Sequence, residues 1–231
     1  MNGSKKNLSD LAEQLFSLQC DADVVIFPPN VYIRDAIEAF SGASIAVGAQ
    51  NVSEHSRGAY TGEISSEMLI DIGCEYCIVG HSERRSLYGE DNFKIAGKFY
   101  QANEAGLIPI LCLGETLNQR EKDETLDVIT AQLNAVVEYT GKALPSDLVI
   151  AYEPIWAIGS GKPASTDQIQ IVHQYIRCKL REKGFSAKIL YGGSVTPENT
   201  KELLKESDID GLLVGGASLD AKSFVQICNL A

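Results

Sequence analysis

The chain has 231 residues, 45% of them hydrophobic and 22% charged, a composition that suits a folded domain and excludes a disordered or low-complexity protein. Its formal net charge of -11 at pH 7 argues against nucleic acid and anionic membranes as partners, because both demand a basic patch. No run of about 18 apolar residues could span a bilayer, and Met1-Asn2-Gly3-Ser4-Lys5-Lys6 lacks the apolar core of a signal peptide, so a cytoplasmic protein is expected.

The first predicted element is a helix, since Leu8, Leu11, Leu15 and Leu18 line one helical face. Short β-branched runs then alternate with longer amphipathic stretches. Strands are expected at residues 24–27, 45–49, 76–79, 108–113, 148–153, 188–191 and 211–214, and their apolar character points to burial on both faces. A late helix carries Ile169, Val172, Ile176 and Leu180 as its stripe, with Ser165, Thr166 and Asp167 supplying capping chemistry at its start. The alternation runs without a linker or a change of composition, which predicts one α/β domain over residues 1–231 with a parallel sheet. Seven strands and a leading helix fit a TIM-type (β/α)8 barrel only if one more strand stood before Lys5. A seven-stranded doubly wound sheet is the alternative.

The six cysteines, Cys20, Cys74, Cys77, Cys112, Cys178 and Cys228, lie mostly in apolar segments without regular spacing and read as reduced core residues. Cys74 and Cys77 have the spacing of a redox or metal pair, but no second such pair and no histidine cluster completes a zinc site. His55, His81 and His173 are far apart in sequence and no HExxH occurs, so no metal is expected.

In a parallel barrel the loops at the carboxyl ends of the strands share one rim, and functional residues collect there. The unusual residues of this chain fall at those ends. Gly80-His81-Ser82-Glu83-Arg84-Arg85 follows one strand and Glu153-Pro154-Ile155-Trp156 another; Tyr191-Gly192-Gly193-Ser194 and Val214-Gly215-Gly216-Ala217-Ser218 follow the last two. Gly159-Ser160-Gly161-Lys162-Pro163-Ala164 fits GxGxxA, but several residues separate it from its strand, which weakens a dinucleotide reading. It is no Walker loop either, because Trp156 and Pro163 occupy positions that need glycine and Ser or Thr.

These segments, in this order and at this spacing, resemble the signature segments of the triosephosphate isomerases. The resemblance implies interconversion of dihydroxyacetone phosphate and glyceraldehyde 3-phosphate by proton transfer through an enediol(ate), in glycolysis and gluconeogenesis and without a cofactor. It implies Glu153 as the base and a neutral His81 as the electrophile, assignments that belong to the family. The phosphate donors would be the N–H groups of Gly159, Ser194, Gly215 and Gly216, glycine permitting close approach. The lid would run from Pro154 to Ala164, with Pro154, Ile155 and Trp156 as first hinge, Ala157, Ile158, Ser160 and Gly161 between, and Lys162, Pro163 and Ala164 as second hinge. Ser82, Glu83 and Cys112, with Arg84, Glu90 and Glu115, match supporting positions. The loop from Gln50 to Glu63 looks like the family's subunit grip and implies a homodimer, with Thr61 near the partner's site.

One departure stands out. The family's first strand ends in Asn-x-Lys just before a segment like Met1-Asn2-Gly3, and this sequence starts after that lysine. Open barrel edges and weak or absent activity are the corresponding expectations. The competing readings are a non-catalytic barrel acting as a binding or structural protein, or another phosphate-binding barrel enzyme such as a Schiff-base aldolase. The latter needs a lysine at a strand end, whereas Lys188 opens its strand.

Overall fold

A computed structural model of the chain describes residues 1–16, 18, 20–141, 144–158 and 163–231. The strands are β1 (Val24–Ile26), β2 (Ile45–Ala49), β3 (Tyr76–Val79), β4 (Ile108–Leu113), β5 (Val149–Tyr152), β6 (Lys188–Tyr191) and β7 (Gly211–Leu212). The helices are α1 (Lys5–Leu15), α2 (Ile33–Ala39), α3 (Ser66–Asp71), α4 (Ser82–Tyr88), α5 (Asn92–Glu104), α6 (Leu117–Glu121), α7 (Thr125–Tyr139), α8 (Thr166–Glu182), α9 (Pro197–Leu203) and α10 (Ala221–Leu230). Every neighbouring pair of strands is parallel, and the order in the sheet is the order in the chain. A doubly wound sheet reverses its strand order at a switch point. This sheet does not; its seven strands curl in one sense, as in a TIM-type α/β fold.

The two faces of the sheet bury alternate residues. Ile78, Ile110, Cys112, Val149 and Ala151 meet inside the curl, with Phe27, Leu190 and Leu213 packed against them. Their chain neighbours Cys77, Val79, Leu111, Leu113, Ile150 and Tyr152 join the larger layer beneath the helices. A period of two between two apolar layers is why the strands read as continuous hydrophobic runs. Each fully buried Val, Leu or Ile among them contributes roughly 1.5–3 kcal/mol by leaving water.

The helices obey the spacing of their sequences, with two corrections. In α8, Ser165 accepts from the Gln168 N–H at 3.3 Å and the Gln168 side chain accepts from the Ser165 N–H at 3.0 Å, a reciprocal cap. Ile169, Val172, Ile176 and Leu180 are buried, and so is His173. Cys178 is exposed and is no core residue, because two residues beyond Ile176 lies the opposite side of the helix. Leu18 is not on the first helical face, since α1 ends at Leu15; the chain must turn there to enter β1, and Leu18 still packs on the core. Among the described residues no helix is long and apolar enough to cross a membrane.

Candidate active site

The site begins where β3 ends. Gly80 takes φ 73, a left-handed turn that side chains resist, and delivers His81 to the N-cap of α4. The His81 Nδ1 accepts from the Glu83 N–H at 3.3 Å, which assigns the ring proton of the neutral imidazole to Nε2. That Nε2 lies 3.1 Å from Oε1 of Glu153, the residue that follows β5. The other oxygen, Oε2, accepts from the Ser82 N–H at 2.9 Å.

Glu153 is 2% exposed. Burial lifts its carboxyl above the ordinary carboxylate range, while His81, the Ser82 N–H, the Cys112 thiol and Arg85 pull it partly back. Cys112 points into the same pocket from β4, and burial raises its thiol well above the ordinary value. Arg85 ties these elements together: it donates to the Gly80 carbonyl at 2.8 Å, to Asn92 Oδ1 at 2.8 Å and to the Cys112 carbonyl at 3.0 Å. A fork of fixed donors is suited to such bracing.

The segment after Glu153 is anchored by Glu115, which has no exposed surface. Its carboxylate accepts from Trp156 Nε1 at 2.8 Å, from the Tyr152 hydroxyl at 3.1 Å and from Arg120 at 3.0 Å. The Arg120 guanidinium also lies 4.6 Å over the Trp156 ring. The Glu115 carbonyl takes the Ile155 N–H at 3.1 Å. Pro154 and Ala157 are buried, Ile155 and Trp156 partly so, and Ile158 is exposed. Gly159, Ser160, Gly161 and Lys162 lie outside the described residues.

The ends of β6 and β7 close on the same carboxylate. A Cβ on Gly192 would stand 2.9 Å from Glu153 Cγ and 3.6 Å from Leu213 Cβ, so only glycine lets the three strand ends converge. Beyond Leu213, Gly215 and Gly216 are exposed, with open space where a Cβ would project. Gly216 opens a 3-10 turn through Leu219, and the first N–H groups of a turn have no partner within it. Ser194 is half-buried after β6, its carbonyl accepting from Asn199 at 2.9 Å. Glu83 is exposed, and Glu90 is buried between Arg84 and Lys98.

Sequence reasoning singled out His81, Ser82, Cys112 and Glu153, and the structure brings all four into contact. It gave no role to Arg85, Gly114 or Gly192. Glycines directly after strands were the available signal for the last two.

A carboxylate and a neutral imidazole facing each other on the carboxyl rim of a parallel TIM-type sheet define a proton-transfer site. The profile of the triosephosphate isomerase family matches residues 1–231. Among curated proteins, the triosephosphate isomerase of Alcanivorax borkumensis is 49% identical over 235 residues, covering 100% of this chain and 95% of that protein. Those of Methylococcus capsulatus and Halorhodospira halophila are each 48% identical, over 99% and 100% of the chain and 94% of each relative. The chain belongs to the triosephosphate isomerase family.

Proposed function

We propose that this isomerase interconverts dihydroxyacetone phosphate and glyceraldehyde 3-phosphate, with Glu153 moving the proton between the two carbons and His81 polarising the oxygens. The approach of His81 Nε2 to the buried Glu153 carboxylate, 3.1 Å, carries this reading. Substrate enters between them, and the carboxylate exchanges its bond to the Ser82 N–H for the proton on carbon. The electron pair of that C–H bond moves into the enediolate, whose oxygen receives the Nε2–H hydrogen bond. His81 gives the Nε2 proton to that oxygen and takes the hydroxyl proton from the neighbouring one, and the protonated Glu153 returns its proton to the adjacent carbon as the second oxygen becomes the new carbonyl. A base strengthened by desolvation suits the weak acidity of a carbon next to a carbonyl.

The N–H groups of Gly159, Ser194, Gly215 and Gly216 hold the phosphate in this scheme, which the open space above Gly215 and Gly216 supports. The role of a lid that keeps water from the intermediate falls to the segment Pro154 to Ala164, as the family resemblance implies. The loop from Gln50 to Glu63 grips a second copy; a cleft of about 470 Å³ between this loop and α3, lined by His55, Arg57, Tyr60 and Met68, supports that assembly. The site works within one domain, residues 1–231, in cytoplasmic glycolysis and gluconeogenesis.

Glu153→Gln tests the assignment, since the amide keeps the shape and cannot accept a proton. Turnover of triose phosphate should fall roughly 10²- to 10⁴-fold, with binding of phosphoglycolate retained. Parental turnover, or no phosphoglycolate binding by the parent, would refute the reading.

A further inference from the structure

Gly114, the first residue after β4, faces the catalytic base on one side. A Cβ there would sit 1.8 Å from the Glu153 carbonyl oxygen and 2.7 Å from its carbonyl carbon. Flanking this contact, the Glu153 N–H donates to the Leu113 carbonyl at 2.7 Å and the Ile155 N–H to the Glu115 carbonyl at 3.1 Å. The ladder between β4 and β5 thus continues past the strand ends and carries Glu153 with it.

On its other side Gly114 has outrun its neighbour, for β3 leaves the ladder where Val79 pairs with Leu111. A side chain takes the place of the missing strand. Gln132 Oε1 accepts from the Gly114 N–H at 2.9 Å and Gln132 Nε2 donates to the Gly114 carbonyl at 3.0 Å. Gln132 belongs to the buried stripe of α7, beside Ile129, Leu133, Val136 and Val137. A polar group there is costly unless its bonds are made, and these two bonds end on the peptide that abuts Glu153.

We propose that Gln132 is a positioning residue for the isomerisation: it clamps Gly114, and through the main-chain contact of Gly114 with Glu153 it sets the base against His81. The inference rests on Glu153 being that base. Gln132→Met preserves bulk and removes both bonds, so kcat should fall roughly 10- to 100-fold, as for a displacement of about 1 Å at a reacting group. KM should change less than about twofold, the loss falling on the chemical step.

Gln132→Glu gives a readout that simple destabilisation would not move. A protonated carboxyl there reproduces one donor and one acceptor; once ionised it loses the donor and sets a charge against the Gly114 carbonyl. The ratio of variant to parental kcat should approach one at low pH and fall as pH rises, with burial placing the transition above the ordinary carboxylate range. The ionisable groups around the clamp are Glu115 with Arg120, and Glu153 with His81, Cys112 and Arg85. They are common to both proteins, so a pH dependence found only in the ratio arises from the carboxyl introduced at position 132. Parental kcat in Gln132→Met, or a ratio flat in pH for Gln132→Glu, overturns the proposal. If Gln132→Met does not fold, the ratio for Gln132→Glu decides alone. Glu153→Gln separates the two claims: parental turnover there removes the base assignment and the clamp with it. Inactive Glu153→Gln beside parental Gln132 variants removes only the clamp.

Discussion

Acid should find this fold through His173. The ring has no exposed surface, its Nδ1 lies 2.9 Å from the Asp208 carbonyl, and its edge meets the Tyr152 ring at 5.8 Å. Its Nε2 is buried without a hydrogen-bond partner among the described residues. Burial pushes the imidazole from 6.5 down to about 4; the Asp208 carbonyl and the carboxylates of Asp208 and Asp210 oppose the fall, and Arg177 deepens it. The unfolded chain therefore takes up this proton near its ordinary pKa, and the folded chain only near the lowered one. Stability that is complete above the unfolded value is lost progressively as pH falls toward the folded value. At about 1.4 kcal/mol per pH unit the interval is worth about 3 kcal/mol, a large part of the roughly 5–15 kcal/mol that holds a domain together. Urea unfolding at a series of pH values, for the parent and for His173→Gln, measures it. The amide can donate to the Asp208 carbonyl but takes up no proton. The parent should lose about 3 kcal/mol more than the variant across that interval; parallel curves would refute the argument.

Glu153 gives the opposite sign. A folded carboxyl above its unfolded value loses stability as pH rises through the window between the two, so Glu153→Gln should raise the calorimetric midpoint at neutral pH even as turnover falls. In the parent, kcat/KM should decline on acidification at a higher pH than an ordinary carboxylate would give, because the base must be ionised to act; a pH-rate profile reads this directly. Trp156→Phe keeps a ring beneath Arg120 and removes the donor to Glu115, which should cost about 1–3 kcal/mol in urea unfolding.

The strands, and the residues that meet at their ends, were legible in the sequence for the same reason. Buried parallel strands must be apolar on both faces, so Ile108 to Leu113 or Val149 to Tyr152 admit few other readings, and a charged residue directly after such a run, as Glu153, is conspicuous. His81 was conspicuous likewise. His173 was not, because a histidine within an amphipathic stripe gives no sign that its second nitrogen will be left without a partner. The bond between Gln132 and Gly114 was equally hidden: it joins a helix to a strand end, and the need for it arises only from β3 stopping short of β4. Cys178 and Leu18 were misplaced for a local reason. Composition marks a residue as apolar, but rotation about a helix axis, or the point where the helix stops, decides where it lies.

The imidazole that faces Glu153 with one nitrogen fastens the opening turn of α4 with the other. Few residues can satisfy both demands: asparagine or aspartate could hold the turn and serine could begin it, yet none would present the same ring N–H to the reaction. Architecture and chemistry are thereby soldered at a single atom pair. A change in the tilt of that short helix would therefore move the ring against Glu153, so in the proposed mechanism residues of α4 that never touch substrate still bear on the chemistry.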